Sequence, residues 1–598
     1  MKRRRTLPFG AMVEHGVDNE GVRFRLWAPA AKSVDLVIDG SLEPMPRTDG
    51  GFFELVSHRA RAGTRYRYRI DGELDVPDPA SRFNADDVAG PSVVIDAEAF
   101  DWPDSAWRGP PWHQAVIYEL HIGTFTPQGT FAAAAEKLPA LGAVGVTAIE
   151  LMPVADFPGR RGWGYDGVLW FAPDSAYGTP DDLKRLVAAA HAHGLMIFLD
   201  VVYNHFGPQG NFLSRYAPSF FTERHQTPWG AAIDYSQREV REFAIENALY
   251  WLEEFHFDGL RLDAVHAIRD DSTPHFLHEL AQRVAQGPGA SRHVHLVLEN
   301  DDNAARYLER DFRAQWNDDL HHAFHVLATG ECDGYYADYA RDPLQSLGRS
   351  LAEGFFFQGD ASGFRGGTTR GEPSAHLPPT AFVSFTQNHD QIGNRAFGER
   401  LVALAPRAAL QAVTAVHLLA PQVPLIFMGE EFGAATPFLY FCDFEGELGR
   451  AVTEGRRREF ARFARFADTA EANEIPDPND AQAFEASRLD WASADGPDHV
   501  RWCEFYRALL ALRVREIVPR LPAMRGGHRF DVLGDGGLQL RWRLGDGSVL
   551  TLDAQLAPRS AERGLLPGRT LFELAHGSTA TMRAAWSVRW TLEESNAQ

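Results

Sequence analysis

At 598 residues the chain has room for about four domain-sized units, or fewer where one of them is a large α/β barrel. Its 81 acidic side chains outnumber 59 basic ones, and the formal net charge of −22 disfavours nucleic acid and anionic lipid while leaving a neutral substrate unaffected. Hydrophobic residues make up 44%, enough for a large core, yet the most apolar stretch, 413–427, is broken by His417, Pro421, Gln422 and Pro424 and does not read as a membrane span. The three cysteines, Cys332, Cys442 and Cys503, are scattered and odd in number, which suggests neither a disulfide framework nor a CxxC metal site. No apolar segment follows Lys2-Arg3-Arg4-Arg5, because Pro8, Gly10, Glu14 and His15 interrupt it, so a cytoplasmic protein is expected.

Residues 1–100 read as an N-terminal β-sandwich. Val22–Trp27 alternates, Val34–Ile38 closes at Asp39-Gly40, and Tyr66–Ile70 closes at Asp71-Gly72, both hairpin signals. A linker rich in Trp, Pro and Asp follows, over 100–112. From Ala115 short apolar runs alternate with amphipathic helices, the pattern of parallel βαβ units. Eight strands are expected, at 116–125, 148–154, 196–205, 257–265, 295–300, 314–319, 381–389 and 424–430, the sixth being the least clear. Thr179-Pro180-Asp181-Asp182 gives a helix cap followed by proline and acids in the first turn, and Ser236-Gln237-Arg238-Glu239 reads as a capping box. The fold class is thus α/β: a (β/α)8 TIM barrel over 112–515, with a short insertion at about 206–234. A C-terminal β-sandwich follows over 516–598, where runs such as Leu538–Trp542 alternate.

Acids and bases gather at the C-terminal ends of these strands, where barrel enzymes carry their chemistry. Asp200 and His205 end the third strand, Arg261 and Asp263 the fourth, Glu299 the fifth, and His389-Asp390 the seventh. A carboxylate in an apolar run is costly without a partner or a task. Any one of them alone reads best as a strand-end ion pair; several converging on one mouth read as an acid–base site. Arg261 and Asp263 are two apart, so they point the same way, and the guanidinium keeps Asp263 ionised as a nucleophile. Glu299 needs the opposite shift to arrive protonated as general acid. Such a pair performs retaining glycoside hydrolysis, for which a carboxyl separation of about 5–5.5 Å is expected.

Asp200–His205 (DVVYNH), Gly259–His266 (GLRLDAVH), Leu298-Glu299-Asn300 and Gln387-Asn388-His389-Asp390 resemble, in order and spacing, the four conserved regions of the alpha-amylase superfamily. The resemblance implies a nucleophile at Asp263, an acid/base at Glu299 and a transition-state-stabilising carboxylate at Asp390. It implies further that His205, Arg261 and His389 contact the glucose at the cleavage point and that Tyr165 stacks beneath it. Phe24–Pro29 resembles the sandwich that precedes the barrel in branching and debranching members. Residues 161–168, 315–323, 334–338 and 385–395 resemble the maltooligosyltrehalose trehalohydrolase family, which cuts the α-1,4 bond next to a terminal trehalose. The substrate expected is therefore maltooligosyltrehalose or a related α-glucan.

Gly162-Trp163-Gly164-Tyr165-Asp166-Gly167 matches a dinucleotide-binding pattern, but Val168–Phe171 follows where a helix is required, so no cofactor is expected. His321 and His325 share a helix face, a weak metal signal. Asn204 corresponds to a calcium ligand in many amylases, yet 206–234 is short for their calcium-binding subdomain, and no metal is expected. His266, the cluster Phe355-Phe356-Phe357, and Phe438 with Tyr440 are candidate contacts for the leaving sugars, with ordinary packing as the competing reading. Glu431 reads equally as an ion-pair member. Branching enzyme, debranching enzyme and a non-catalytic scaffold are the alternatives; the presence of Asp263, Glu299 and Asp390 together speaks against the scaffold. Oligomeric state is open.

Overall fold

The computed structural model describes residues 7–15, 21–227, 230–460, 474–562, 564, 566–574 and 582–595. Near the N-terminus, strands Gly10–Glu14, Gly21–Trp27 and Phe52–Ser57 form one antiparallel sheet. Ser41–Pro44, Val34–Ile38, Arg65–Ile70, Leu74–Val76 and Ser92–Val93 form a second. Phe24 of the first meets Tyr66 of the second edge-on at 4.8 Å, inside a common core. Both expected hairpins form. Asp39 (φ 48°) and Gly40 (φ 74°) are left-handed in the two-residue turn, as the twist of a two-residue hairpin requires. Phe9 packs against Phe243 and Trp27 against Phe220, so the sandwich shares its core with the barrel.

The barrel is closed and parallel. We label its strands β1 (Ile117–Leu120), β2 (Ala148–Leu151), β3 (Met196–Val201), β4 (Gly259–Leu262), β5 (His295–Leu298), β6 (Ala314–Trp316), β7 (Phe382–Phe385) and β8 (Val423–Phe427). Every expected strand is present, and each ends sooner than its apolar run. The residues beyond still hydrogen-bond to neighbouring strands: Asp263 N–H donates to the Val201 carbonyl at 3.0 Å and Glu299 N–H to Leu262.

Side-chain alternation sorts the interior by height. Ile117, Ala148, Phe198 and Val297 fill the lower layer, above Trp112, whose indole donates to the Thr380 carbonyl. Two residues further along the same strands stand Glu119, Glu150, Asp200 and Glu299, and Arg261 pairs in register with Asp200. The barrel therefore passes from an apolar floor to an ionisable mouth within one strand repeat.

Thr179 caps helix Pro180–Ala192 in a full capping box with Asp182. The box expected at Ser236 does not form. Helix Arg238–Glu253 starts after Gln237 without a side-chain cap, because the Ser236 hydroxyl donates instead to Asp234 at 2.5 Å. At the C-terminus, a five-stranded antiparallel sheet and a two-stranded ribbon follow helix Pro497–Leu512. Trp542 and Trp590 of that sheet stack at 5.5 Å and donate to the carbonyls of Leu351 and Ala415 on barrel helices. Among the described residues, no helix is long and apolar enough to cross a membrane.

Candidate active site

Arg261 lies at the centre of the mouth, fully buried, with its guanidinium 4.2 Å above the Trp316 ring. One terminal nitrogen donates to both Asp200 oxygens (2.9 and 2.8 Å) and to Asp263 Oδ1 (2.7 Å). The two-residue spacing thus does bring Arg261 and Asp263 together. Asn204 Nδ2 holds the other Asp263 oxygen at 2.9 Å. Burial works against the charge of Asp263, but Arg261 and Asn204 outweigh it and hold the carboxyl below its ordinary range. Glu299 faces the same space and accepts the Ala264 amide at 2.7 Å. Burial, with Asp263 and Asp390 nearby, pushes it well above the ordinary carboxyl range despite Arg261. Two neighbouring carboxyls are thereby split into an ionised and a protonated partner, the division that acid–nucleophile catalysis needs. Activity is expected to follow a bell-shaped pH profile. Its acid limb reflects protonation of Asp263, below the usual carboxyl range, and its alkaline limb deprotonation of Glu299, above it.

A second set of groups approaches from the opposite wall. Tyr165 O–H donates to Asp200 Oδ2 at 2.6 Å and lies 2.8 Å from His389 Nε2, with the two rings stacked at 5.1 Å. The loop carrying Tyr165 is fixed by Gly164, whose φ of +99° and approach to the Pro153 carbonyl leave no room for a Cβ. Strand Leu169–Pro173 follows this loop, not the helix a dinucleotide site requires. Asp390 is 43% exposed to the mouth, 3.5 Å from His389 Nε2. His205 Nδ1 meets Asn204 Oδ1 directly, and burial draws the ring down to about 4. Each of the expected site residues except His266 therefore belongs to one contiguous assembly; His266 sits one step away, accepting the Asp301 amide at 3.2 Å.

Some residues of this assembly escaped the sequence reading. Glu119 of β1 binds His389 through both its ring and its amide, and Glu150 of β2 lies fully buried beside it. Both are acids in the middle of apolar strands, where an uncompensated carboxylate is as costly as at a strand end. Residues 358–371 contribute a hairpin, with Asp360–Ala361 paired to Thr369–Arg370. Its Arg365 binds the Asp301 carboxylate and carbonyl and reaches Asp302 at 3.2 Å, just past Glu299. Phe364 at its tip is 60% exposed and stands edge-on to Tyr335.

The aromatic candidates sort differently from expectation. Phe355 and Phe438 are fully buried, packed on Phe382 and Trp163, and Phe357 is nearly so; such rings have no face free for a sugar. Phe356 and Tyr440 are only partly buried. Glu431 accepts the Tyr118 hydroxyl at 3.0 Å, a hydrogen bond in place of an ion pair. His321 faces the Thr386 carbonyl (2.7 Å), and His325 faces Glu331 (2.7 Å). Asn204 has its oxygen on His205 and its nitrogen on Asp263, so both ends are engaged in holding the site's own side chains. Activity should therefore survive exhaustive chelation; loss on chelation that calcium alone restores would show a metal requirement these contacts do not provide for.

Comparison with known proteins agrees with this layout. The alpha amylase catalytic-domain model matches residues 96–229, carbohydrate-binding module 48 (isoamylase N-terminal domain) matches 8–89, and a domain of unknown function, DUF3459, matches 525–590. A malto-oligosyltrehalose trehalohydrolase of Deinococcus radiodurans is 43% identical over 91% of this chain and 91% of its own. The chain belongs to the malto-oligosyltrehalose trehalohydrolase family. The enzyme of that name from Saccharolobus solfataricus is 39% identical over 87% of this chain and 91% of its own. A crystal structure from Salmonella typhimurium, assigned to the alpha amylases, superposes with a TM-score of 0.94 at 45% identity, covering 99% of this chain and 100% of that one. The protein is thus a glycoside hydrolase of the alpha-amylase family, acting on α-glucans.

Proposed function

We propose that this enzyme releases free trehalose from maltooligosyltrehalose. Asp263 attacks the anomeric carbon of the glucose to be cut, while Glu299 gives its proton to the departing glycosidic oxygen. Trehalose leaves, and a glucosyl–Asp263 ester remains. Glu299, now a carboxylate, takes a proton from water, whose oxygen displaces Asp263 and restores both groups. Asp390 and His205 grip hydroxyls of the reacting ring, and Tyr165 stacks beneath it. Three cysteines without disulfide partners suit a cytoplasmic location.

The observation that carries the substrate choice is the hairpin clamped to Asp301 and Asp302, immediately beyond Glu299. It stands on the side of the acid, where the leaving sugars must lie. The scissile bond is α-1,4 in starch and in maltooligosyltrehalose alike, so discrimination has to come from those two sugars. Phe364 and Tyr335 offer aromatic faces there, Arg365 and Asp302 polar groups. A site fitted to the α,α-1,1-linked ring loses such contacts when maltose enters.

Chromatography of the products from maltooligosyltrehalose and from plain maltooligosaccharide tests the reading. Trehalose should be the major small product of the first, with much slower cleavage of the second; α-1,6 branches would instead reveal a branching enzyme. In the same assay Phe364→Ala should lower kcat/KM for trehalose release by roughly 10–100-fold, the scale of one lost sugar contact, and change maltooligosaccharide cleavage far less. Equal losses on both substrates would place specificity elsewhere.

A further inference from the structure

We infer that Glu119 is a positioning residue that decides which end of the Tyr165 bridge carries a proton, holding His389 as an imidazolium and Asp200 as a carboxylate. The inference rests on the proposed role of the mouth as the sugar-cleaving site. It concerns a residue that touches neither of the two reacting carboxyls.

The argument is a count of donors. Glu119 Oε1 lies 2.5 Å from His389 Nδ1, and Glu119 Oε2 accepts the His389 backbone amide at 3.1 Å. A carboxylate can only accept, so Nδ1 carries a proton. At the other side of the ring, Nε2 is 2.8 Å from the Tyr165 hydroxyl, which is 2.6 Å from Asp200 Oδ2. The hydroxyl has one proton to give. With Glu119 ionised, two arrangements share the same proton number. In one, His389 is doubly protonated, Nε2–H donates to Tyr165, and Tyr165 donates to an ionised Asp200. In the other, Asp200 keeps the proton and donates to Tyr165, and Tyr165 donates to a neutral His389.

Contacts at the two ends select the first arrangement. Both Asp200 oxygens already accept from the Arg261 guanidinium, which favours the carboxylate. His389 is gripped from its own rear by the Glu119 carboxylate, and both partners are almost fully buried, so little solvent weakens their attraction. The groups facing His389 are Glu119 from β1, Glu150 from β2, Asp200 from β3, Arg261 from β4, His121, Tyr165 and the adjoining Asp390. Burial and Arg261 disfavour the imidazolium; Glu119 and then Asp390 favour it and prevail, taking the ring up to about 9, while burial raises Asp200 only to about 7 against the pull of Arg261, so the ring holds the shared proton more tightly. Among these groups, Glu119 is the one bonded to the ring through Nδ1, so removing its charge removes the main force keeping the proton on His389.

Loss of that charge reverses the bridge. The proton moves through Tyr165 to Asp200, and His389 ceases to present a cation and an N–H beside Asp390 at 3.5 Å. Asp200, once neutral, no longer shares Arg261 with Asp263 as an equal anion. One remote carboxylate thereby alters both walls of the mouth.

The test uses full-length enzyme labelled with 15N-histidine and its Glu119→Gln variant, which keeps the shape and one acceptor. Nitrogen shifts of His389, assigned with His389→Gln, report its protonation. In wild type at pH 7 both ring nitrogens should be protonated; in E119Q one should be. Activity on maltooligosyltrehalose should fall about 100-fold at pH 8, the scale of a lost charge-assisted contact, and markedly less at pH 5, where the variant's ring regains its proton. A uniform loss at all pH values, with His389 still doubly protonated, would overturn the inference. So would a singly protonated His389 in wild type, a measurement that stands even where the variant does not fold. Because the nitrogen shifts are read without turnover, a failure of the trehalose-releasing reading leaves this result interpretable.

Discussion

Replacing Asp263 by Asn should abolish turnover, lowering kcat on oligosaccharide by roughly 10⁴-fold or more, about 5.5 kcal/mol of transition-state stabilisation. The amide is nearly the shape of the carboxylate and can still accept from Arg261, so the fold should persist with an unchanged circular dichroism spectrum. It cannot form the glucosyl ester. Glu299→Gln removes the proton donor instead, and should cost about 10²–10⁴-fold on natural substrates. With an α-maltosyl fluoride, whose leaving group needs no proton, the first half-reaction of that variant should recover most of the loss. The asymmetry is the diagnostic: fluoride rescues the acid variant and leaves the nucleophile variant dead. Near-wild-type turnover of oligosaccharide by either variant would refute the assignment.

Arg261→Met should have the largest effect on the protein itself. The guanidinium is fully buried between Asp200 and Asp263 and rests on Trp316. Methionine fills most of its volume but leaves two buried carboxylates facing each other without a counter-charge. Breaking such a network costs about 3–5 kcal/mol, visible as a lowered midpoint in denaturant. Activity should vanish as well, since Asp263 loses the charge that keeps it ionised. Adding Asp200→Asn to Arg261→Met removes one of the stranded anions. The double variant should regain part of the stability and none of the activity, a non-additivity expected of residues in one network. Simple addition of the two losses would mean that Asp200 and Arg261 do not act together.

Much of this was legible in the sequence because parallel barrel strands are buried on both faces. Runs such as Ala148–Leu151 and Val423–Phe427 stand out without any alternation. The strands themselves stop sooner than their full apolar runs. Residues such as Asp263 leave the strand but keep its hydrogen bonds, and sequence does not mark where pairing stops and the loop begins. Positions on one strand, such as Arg261 and Asp263, were placed correctly because the period of two is local. What was lost is what depends on other strands. Nothing local to Phe438 says that Trp163 covers it; the Ser236 hydroxyl is a local competition instead, since Asp234 two residues before takes it from the capping position. Glu119 is silent in the sequence for a different reason: its partner, His389, lies 270 residues away.

The two tryptophans of the C-terminal sheet have a consequence for how the molecule comes apart. Their indoles occupy carbonyls of helices Pro343–Glu353 and Arg407–Leu419, and the same apolar core continues from the N-terminal sandwich through the barrel into that sheet. Peeling the sheet away would break both hydrogen bonds and bare an apolar helix face at once, a cost that is not recovered until the barrel opens too. The three regions are thus separate in topology but joined in cooperativity. Heat or denaturant should therefore meet the three regions as one melting unit, seen as a single calorimetric transition.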